Sequence, residues 1–166
     1  YFKDNIGLDI GAYNFGYNTL KELDYDGDVL FMNSGLAGPS ENNWLVKYRN
    51  QFLRHKNIGL CGISMNAINT KLEDKPFSPH VQSFFLFTQM KVLRDVFPNN
   101  LPGSFFKNDR TSVIIKGEIG ISQMVLKAGY YITCLAEPSF FYKTGDQWSI
   151  PQEELRFKKK YSRFAN

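Results

Sequence analysis

The chain has 166 residues, enough for one domain with a substantial core, and an ordinary globular composition rich in aromatics, with 15 Phe and 9 Tyr. Much of its net charge of +4 sits in the stretch Arg156-Phe157-Lys158-Lys159-Lys160-Tyr161-Ser162-Arg163. The remainder is near neutral, which argues against a nucleic-acid binder acting through overall charge.

The predicted elements alternate between helix and strand. Tyr13, Tyr17 and Leu20 recur at helical spacing, which predicts a helix from Ala12 to Leu23. Asp24-Tyr25-Asp26-Gly27-Asp28 reads as a turn. Val29 to Met32 reads as a short apolar strand of the kind buried on both faces in a parallel sheet. A loop rich in Gly, Pro, Ser and Asn then runs from Asn33 to Asn43. Trp44 to His55 reads as a helix, Asn57 to Ile63 as a second apolar strand, and Ser64 to Pro79 as a long polar loop.

Val81 to Phe87 is expected to be a strand, and Lys91 to Phe97 a helix that stops before Pro98. Ser112 to Lys116 reads as a short strand, Glu118 to Lys127 as a helix closed by Gly129, and Tyr130 to Leu135 as another strand. Pro151 to Lys160 has the pattern of a C-terminal helix. This alternation predicts an α/β fold with a mainly parallel sheet flanked by helices. Residues 1–150 would form the domain, and 151–166 a basic helix or linker.

Cys61 and Cys134 each lie in an apolar run, so they read as buried free thiols and not as a disulfide framework or a metal pair. The chain has no Asn-x-Ser/Thr sequon, no signal peptide and no apolar run of about twenty residues. These features predict a reducing, cytoplasmic setting. The basic C-terminal stretch is either a solvated helix face or a peripheral contact with an anionic membrane surface.

The richest stretch for function is Asn5-Ile6-Gly7-Leu8-Asp9-Ile10-Gly11, followed by the strand that ends in Asn33-Ser34-Gly35. Glycines allow close approach of backbone to a phosphate or sugar, and a following helix start offers free N–H groups. Polar residues at the carboxyl end of a buried strand occupy the usual ligand position of open α/β sheets. Bland roles compete at each position. Asp9 can cap a helix. Asn33 and Ser34 can make an Asx or Ser turn. Glu118 can simply interact with a helix macrodipole. His80 can be a satisfied structural histidine.

The order of motifs resembles the GT-A glycosyltransferases, particularly those related to rhamnan-synthesis proteins. It is carried by Asn5-Ile6-Gly7-Leu8-Asp9-Ile10-Gly11, Asn33-Ser34-Gly35-Leu36-Ala37-Gly38-Pro39, His80-Val81-Gln82-Ser83-Phe84-Phe85, and Glu118 through Gly129-Tyr130. The resemblance spans roughly residues 4–145. It implies a GT-A-like, Rossmann-like domain whose first βαβ portion is missing, either belonging to a longer polypeptide or supplied by another chain. It also implies transfer of rhamnose or another hexose from a nucleotide-diphosphate donor to a glycan acceptor in surface polysaccharide synthesis.

Under this resemblance Glu118 is the general base of an inverting displacement. Asp9, Gly11, Asn33, Ser34 and Gly35 contact the donor, while His80, Gln82 and Ser83 contact the acceptor or sugar. The family often holds a divalent cation, Mn or Mg, on a carboxylate at the end of the central strand. Here that strand ends in Asn33-Ser34-Gly35 with no acid, leaving the metal ligands unassigned. A non-catalytic nucleotide-sugar or glycan-binding module is the competing reading.

Overall fold

The computed structural model describes residues 6–39, 41–67, 78–106 and 109–148. The basic stretch at 151–166 lies outside them. Helix α1 (Leu8–Glu22) leads into strand β1 (Asp28–Met32), helix α2 (Trp44–Leu53) and strand β2 (Ile58–Gly62). Two short strands, β3 (Met65–Asn66) and β4 (His80–Val81), form a separate two-stranded ladder. Strand β5 (Phe85–Gln89) and helix α3 (Met90–Val96) follow. One helical rod then runs through α4 (Arg110–Ser112), a π-helical segment (Val113–Ile119) and α5 (Gly120–Lys127). Strands β6 (Tyr131–Cys134) and β7 (Phe141–Tyr142) end the described chain.

The main sheet has the order β1-β5-β2-β6-β7. The fold is α/β as expected, but the sheet is mixed and not mainly parallel. Only β2 and β6 pair in parallel; β1–β5, β5–β2 and β6–β7 are antiparallel. The helix-linked strands β1, β2 and β6 do share one direction, which is what helix-strand alternation encodes. Strand β5 enters between β1 and β2 in the opposite sense. It makes β1 an edge strand with alternating burial, and Met32 at its end is exposed. Within this sheet the strand described as buried throughout is β2, where every residue of Ile58-Gly59-Leu60-Cys61-Gly62 is inside.

Three local expectations need correction. Helix α1 starts at Leu8, four residues before Ala12, with Gly7 at its N-cap in a left-handed conformation. Asp9 therefore lies in the first turn and does not cap the helix. The stretch from Ser112 to Lys116 is helical, although its β-branched residues resemble a strand, because its apolar side packs under α1. Glu118 consequently sits inside a continuous rod and opens no helix, so the macrodipole explanation for it falls away. Finally, the strand expected from Val81 to Phe87 is broken at Gln82-Ser83-Phe84 into β4 and β5.

One face of α1 buries Ile10, Tyr13, Asn14 and Tyr17, at the spacing of successive turns. Asn14 is fully engaged: its Oδ1 accepts from Leu101 N at 2.8 Å and its Nδ2 donates to Asn100 Oδ1 at 3.1 Å. The helix start is packed backbone to backbone. A Cβ on Gly7 would stand 2.1 Å from Ser104 O, and one on Gly117 would stand 2.8 Å from Ile10 Cγ1. Gly7 thus seats the helix start on the backbone of Ser104, and Gly117 seats Ile10 of α1 against the π-helical segment, setting Asp9 and Glu118 on neighbouring elements.

Candidate functional site

Strand β1 ends at Met32, and Asn33 turns the chain. Its backbone N donates to Phe84 O at 3.2 Å, and its side-chain Oδ1 accepts from Gly35 N at 3.1 Å. This is the Asx turn that the residue type favours. The same side chain also reaches across to α1, where Nδ2 donates to Asp9 Oδ2 at 3.1 Å. Both Asp9 and the Ser34-Gly35 tip are exposed.

The bond to Phe84 places the turn beside Ser83, which holds Glu118. Ser83 N and Ser83 Oγ both donate to Glu118 Oε2, each at 2.6 Å. Two donors on one carboxylate oxygen, one from backbone and one from side chain, fix the acid's orientation. The break between β4 and β5 makes this arrangement available, since Ser83 N is not committed to a ladder. The π-helical segment contributes from the other side; extra-residue turns of this kind re-aim a side chain and occur frequently at functional sites.

Glu118 Oε1 lies 3.8 Å from His80 Nε2, with side-chain exposures of 19% for Glu118 and 3% for His80. His80 Nδ1 is 2.8 Å from Ser78 O. Gln82 points away from this pair. Its Oε1 accepts from Ser64 Oγ at 2.5 Å, tying the segment to the bend after β2.

Tyr13 joins the two halves. Its hydroxyl donates to Ser83 O at 3.0 Å. Burial pushes the phenol's pKa up, and the negative charges of Asp9 and Glu118 raise it further. Both carboxylates therefore act on one ring, and the phenol stays neutral as a hydrogen-bond donor. Phe31 stacks on it at a centroid distance of 5.0 Å.

The structure thus gathers Asp9, Ser83 and Glu118 around Tyr13, with Asn33 bonded to Asp9 and His80 beside Glu118, and with Ser34 and Gly35 exposed at the turn. Gly11 stands apart from this group. It is buried, its N–H is donated to Gly7 O at 2.9 Å, and a Cβ on it would meet Ile6 O. Gln82 faces Ser64, and His80 lies behind Glu118 instead of on the open side. Lys116 spreads over the Phe106 ring at 5.1 Å, and Trp148 packs against Phe140 and Tyr142. The residues that sequence reasoning missed are Tyr13, read only as a helix-spacing position, and Ser64. Neither carries a local signal, because their partners lie 70 and 18 residues away.

Asp9 is a carboxylate beside the turn after β1, and its Oδ2 already accepts from Asn33 Nδ2. Among the described residues, no three His, Cys, Asp or Glu side chains gather as a cation site. Among the same residues, no helix is long and apolar enough to cross a membrane.

An α/β fold with a mixed five-stranded sheet, one carboxylate in the first turn of α1 and a second within the π-helical segment, is the class this chain defines. No protein-family model, no curated protein and no solved structure matches it.

Proposed function

We propose that this chain is a GT-A-like glycosyltransferase domain that moves a hexose, such as rhamnose, from a nucleotide-diphosphate donor to a glycan hydroxyl with inversion. The observation that carries the reading is the oriented carboxylate of Glu118, held through Oε2 by Ser83 with Oε1 left to accept a proton, next to the Asp9–Asn33 pair. In the reaction the acceptor hydroxyl loses its proton to Glu118 Oε1 as its oxygen attacks the anomeric carbon. The bond from that carbon to the diphosphate breaks, and its electron pair leaves with the diphosphate.

Asp9 is negatively charged at the helix start, so it suits sugar hydroxyls better than phosphate oxygens. Asn33 and Ser34 add neutral donors and acceptors of the kind hydroxyls need. The setting in this reading is the cytoplasmic face of a membrane, with residues 156–163 contacting anionic lipid. The competing reading is a non-catalytic nucleotide-sugar or glycan-binding module. It is favoured by one observation: Glu118 Oε2 and Asp9 Oδ2 already have protein donors, as in a rigid binding surface.

Glu118→Gln separates the two. The first step is a thermal-shift screen of nucleotide sugars, with and without manganese, since a ligand that binds the native state raises its melting temperature. Transfer is then measured by chromatography of the glycan product. The enzyme reading expects the variant to keep donor binding within about threefold while turnover falls by about 10²–10⁴. Donor binding with no turnover in the wild type selects the binding module. A flat response to every donor overturns both readings.

A further inference from the structure

We infer that His80 is the second proton station of this site, a buried imidazole that receives the proton Glu118 has taken. This rests on the reading of Glu118 as the base.

Three features of the ring carry the inference. First, Nδ1 is 2.8 Å from the Ser78 carbonyl oxygen, which only accepts, so Nδ1 carries a hydrogen in both charge states. Nε2 is then the nitrogen that gains and loses the proton. Second, Nε2 faces Glu118 Oε1, the carboxylate oxygen that Ser83 does not occupy. Third, the carboxylate is the more exposed member of the pair and the ring the buried one. A proton arriving from substrate therefore meets the acid first and the imidazole behind it.

The 3.8 Å separation exceeds a direct hydrogen bond by about 1 Å, a gap that a small shift of the imidazole, and not of the Ser83-held carboxylate, closes. Once protonated, Oε1–H donates to the Nε2 lone pair and the proton crosses. Glu118 is again a carboxylate, now beside an imidazolium. After product leaves, the proton returns through the exposed side of Glu118 to water.

The other ionisable groups nearby do not compete for this proton. The Tyr13 phenol is held neutral by burial and by the charges of Asp9 and Glu118. Strands β2 and β6, which pack on β4, bring Cys61 and Cys134, whose thiols are kept protonated by burial. Tyr131 of β6 stacks on His55. In the helical rod, Lys116 lies over Phe106, and Lys127 is exposed at the far end of α5.

The test is nitrogen-resolved NMR of the imidazoles in the full chain, combined with kinetics. The chain has two histidines, so His55→Asn assigns both sets of signals. The expected result is a hydrogen on Nδ1 of His80, and an Nε2 signal that moves in Glu118→Gln while Nδ1 stays. In transfer assays His80→Gln should lower kcat about 10–100-fold and leave donor KM within about twofold. Combined with Glu118→Gln, it should add no further loss. An Nε2 signal indifferent to Glu118→Gln, or a hydrogen on Nε2 with Nδ1 bare, overturns the inference. So does an unchanged kcat in a folded His80→Gln. If the wild type transfers no sugar, the glycosyltransferase reading fails by itself, and the NMR result still decides whether the pair exists. The same NMR result decides the matter if His80→Gln does not fold.

Discussion

The Ser83–Glu118 contact is the joint on which the site hangs, and a double-mutant cycle measures it. Ser83→Ala removes the Oγ donor at 2.6 Å but leaves the backbone N–H at 2.6 Å, so the carboxylate is not orphaned. A hydrogen bond to a charged group contributes about 1.5–3 kcal/mol, and the 19% exposure of Glu118 places this one at or below the lower end. Ser83→Ala should therefore cost about 1–2 kcal/mol, or about 2–8 °C in Tm for a chain of this size. Glu118→Gln keeps an oxygen acceptor but removes the charge. In that background the same Ser83→Ala change should cost about 0.5–1 kcal/mol, the worth of a neutral bond. The coupling energy is then about 0.5–1 kcal/mol. Urea unfolding followed by fluorescence of the two tryptophans, extrapolated linearly, gives all four corners. Additivity within about 0.3 kcal/mol would mean that the two side chains do not meet as described, and the oriented base would lose its support.

Packing and ionisation supply two further predictions. Gly7→Ala combines a φ of +74° with a Cβ 2.1 Å from Ser104 O, so left-handed strain and overpacking together should cost about 2–4 kcal/mol; a urea midpoint equal to wild type would contradict the close packing at the start of α1. The second concerns Cys134, whose thiol burial pushes from 9.0 up to about 11. The unfolded chain loses that proton first, so between pH 9 and 11 it binds fewer protons than the folded chain and stability falls as pH rises. Stability is fully present below pH 9, and about 2–3 kcal/mol of it is lost as the pH rises through 11. Burial of Cys61 and Tyr13 acts in the same direction. Cys134→Ala should flatten the stability profile between pH 9 and 10.5, and parallel profiles for variant and wild type would refute the assignment.

Periodicity and punctuation in the chain determined the positions of α1, α2, α3, β1, β2 and β6 to within a few residues, because local apolar spacing is a local property. The shared direction of β1, β2 and β6 was legible for the same reason: strands linked through helices tend to run alike. Which strand would lie between them was not legible. The place of β5 depends on how Phe85, Leu86 and Phe87 bury themselves against both neighbours, and no local pattern states strand order. Residues 112–116 misread as a strand because Val113, Ile114 and Ile115 are β-branched, and packing against α1 overrode that preference.

At the site, the order of motifs along the sequence, more than residue type, nominated Asp9, Asn33, Ser83, His80 and Glu118, together with Gly11, Ser34, Gly35 and Gln82. Tertiary structure alone decided their relations. It set Asn33 against Asp9, turned Ser83 onto Glu118, moved His80 behind the carboxylate, and gave Gly11 to packing. It also introduced Tyr13, whose hydroxyl meets a carbonyl 70 residues away. The physical reason is that a side chain's chemistry is written in its own atoms, whereas its partner, distance and exposure are set by backbone paths that converge only when the core closes.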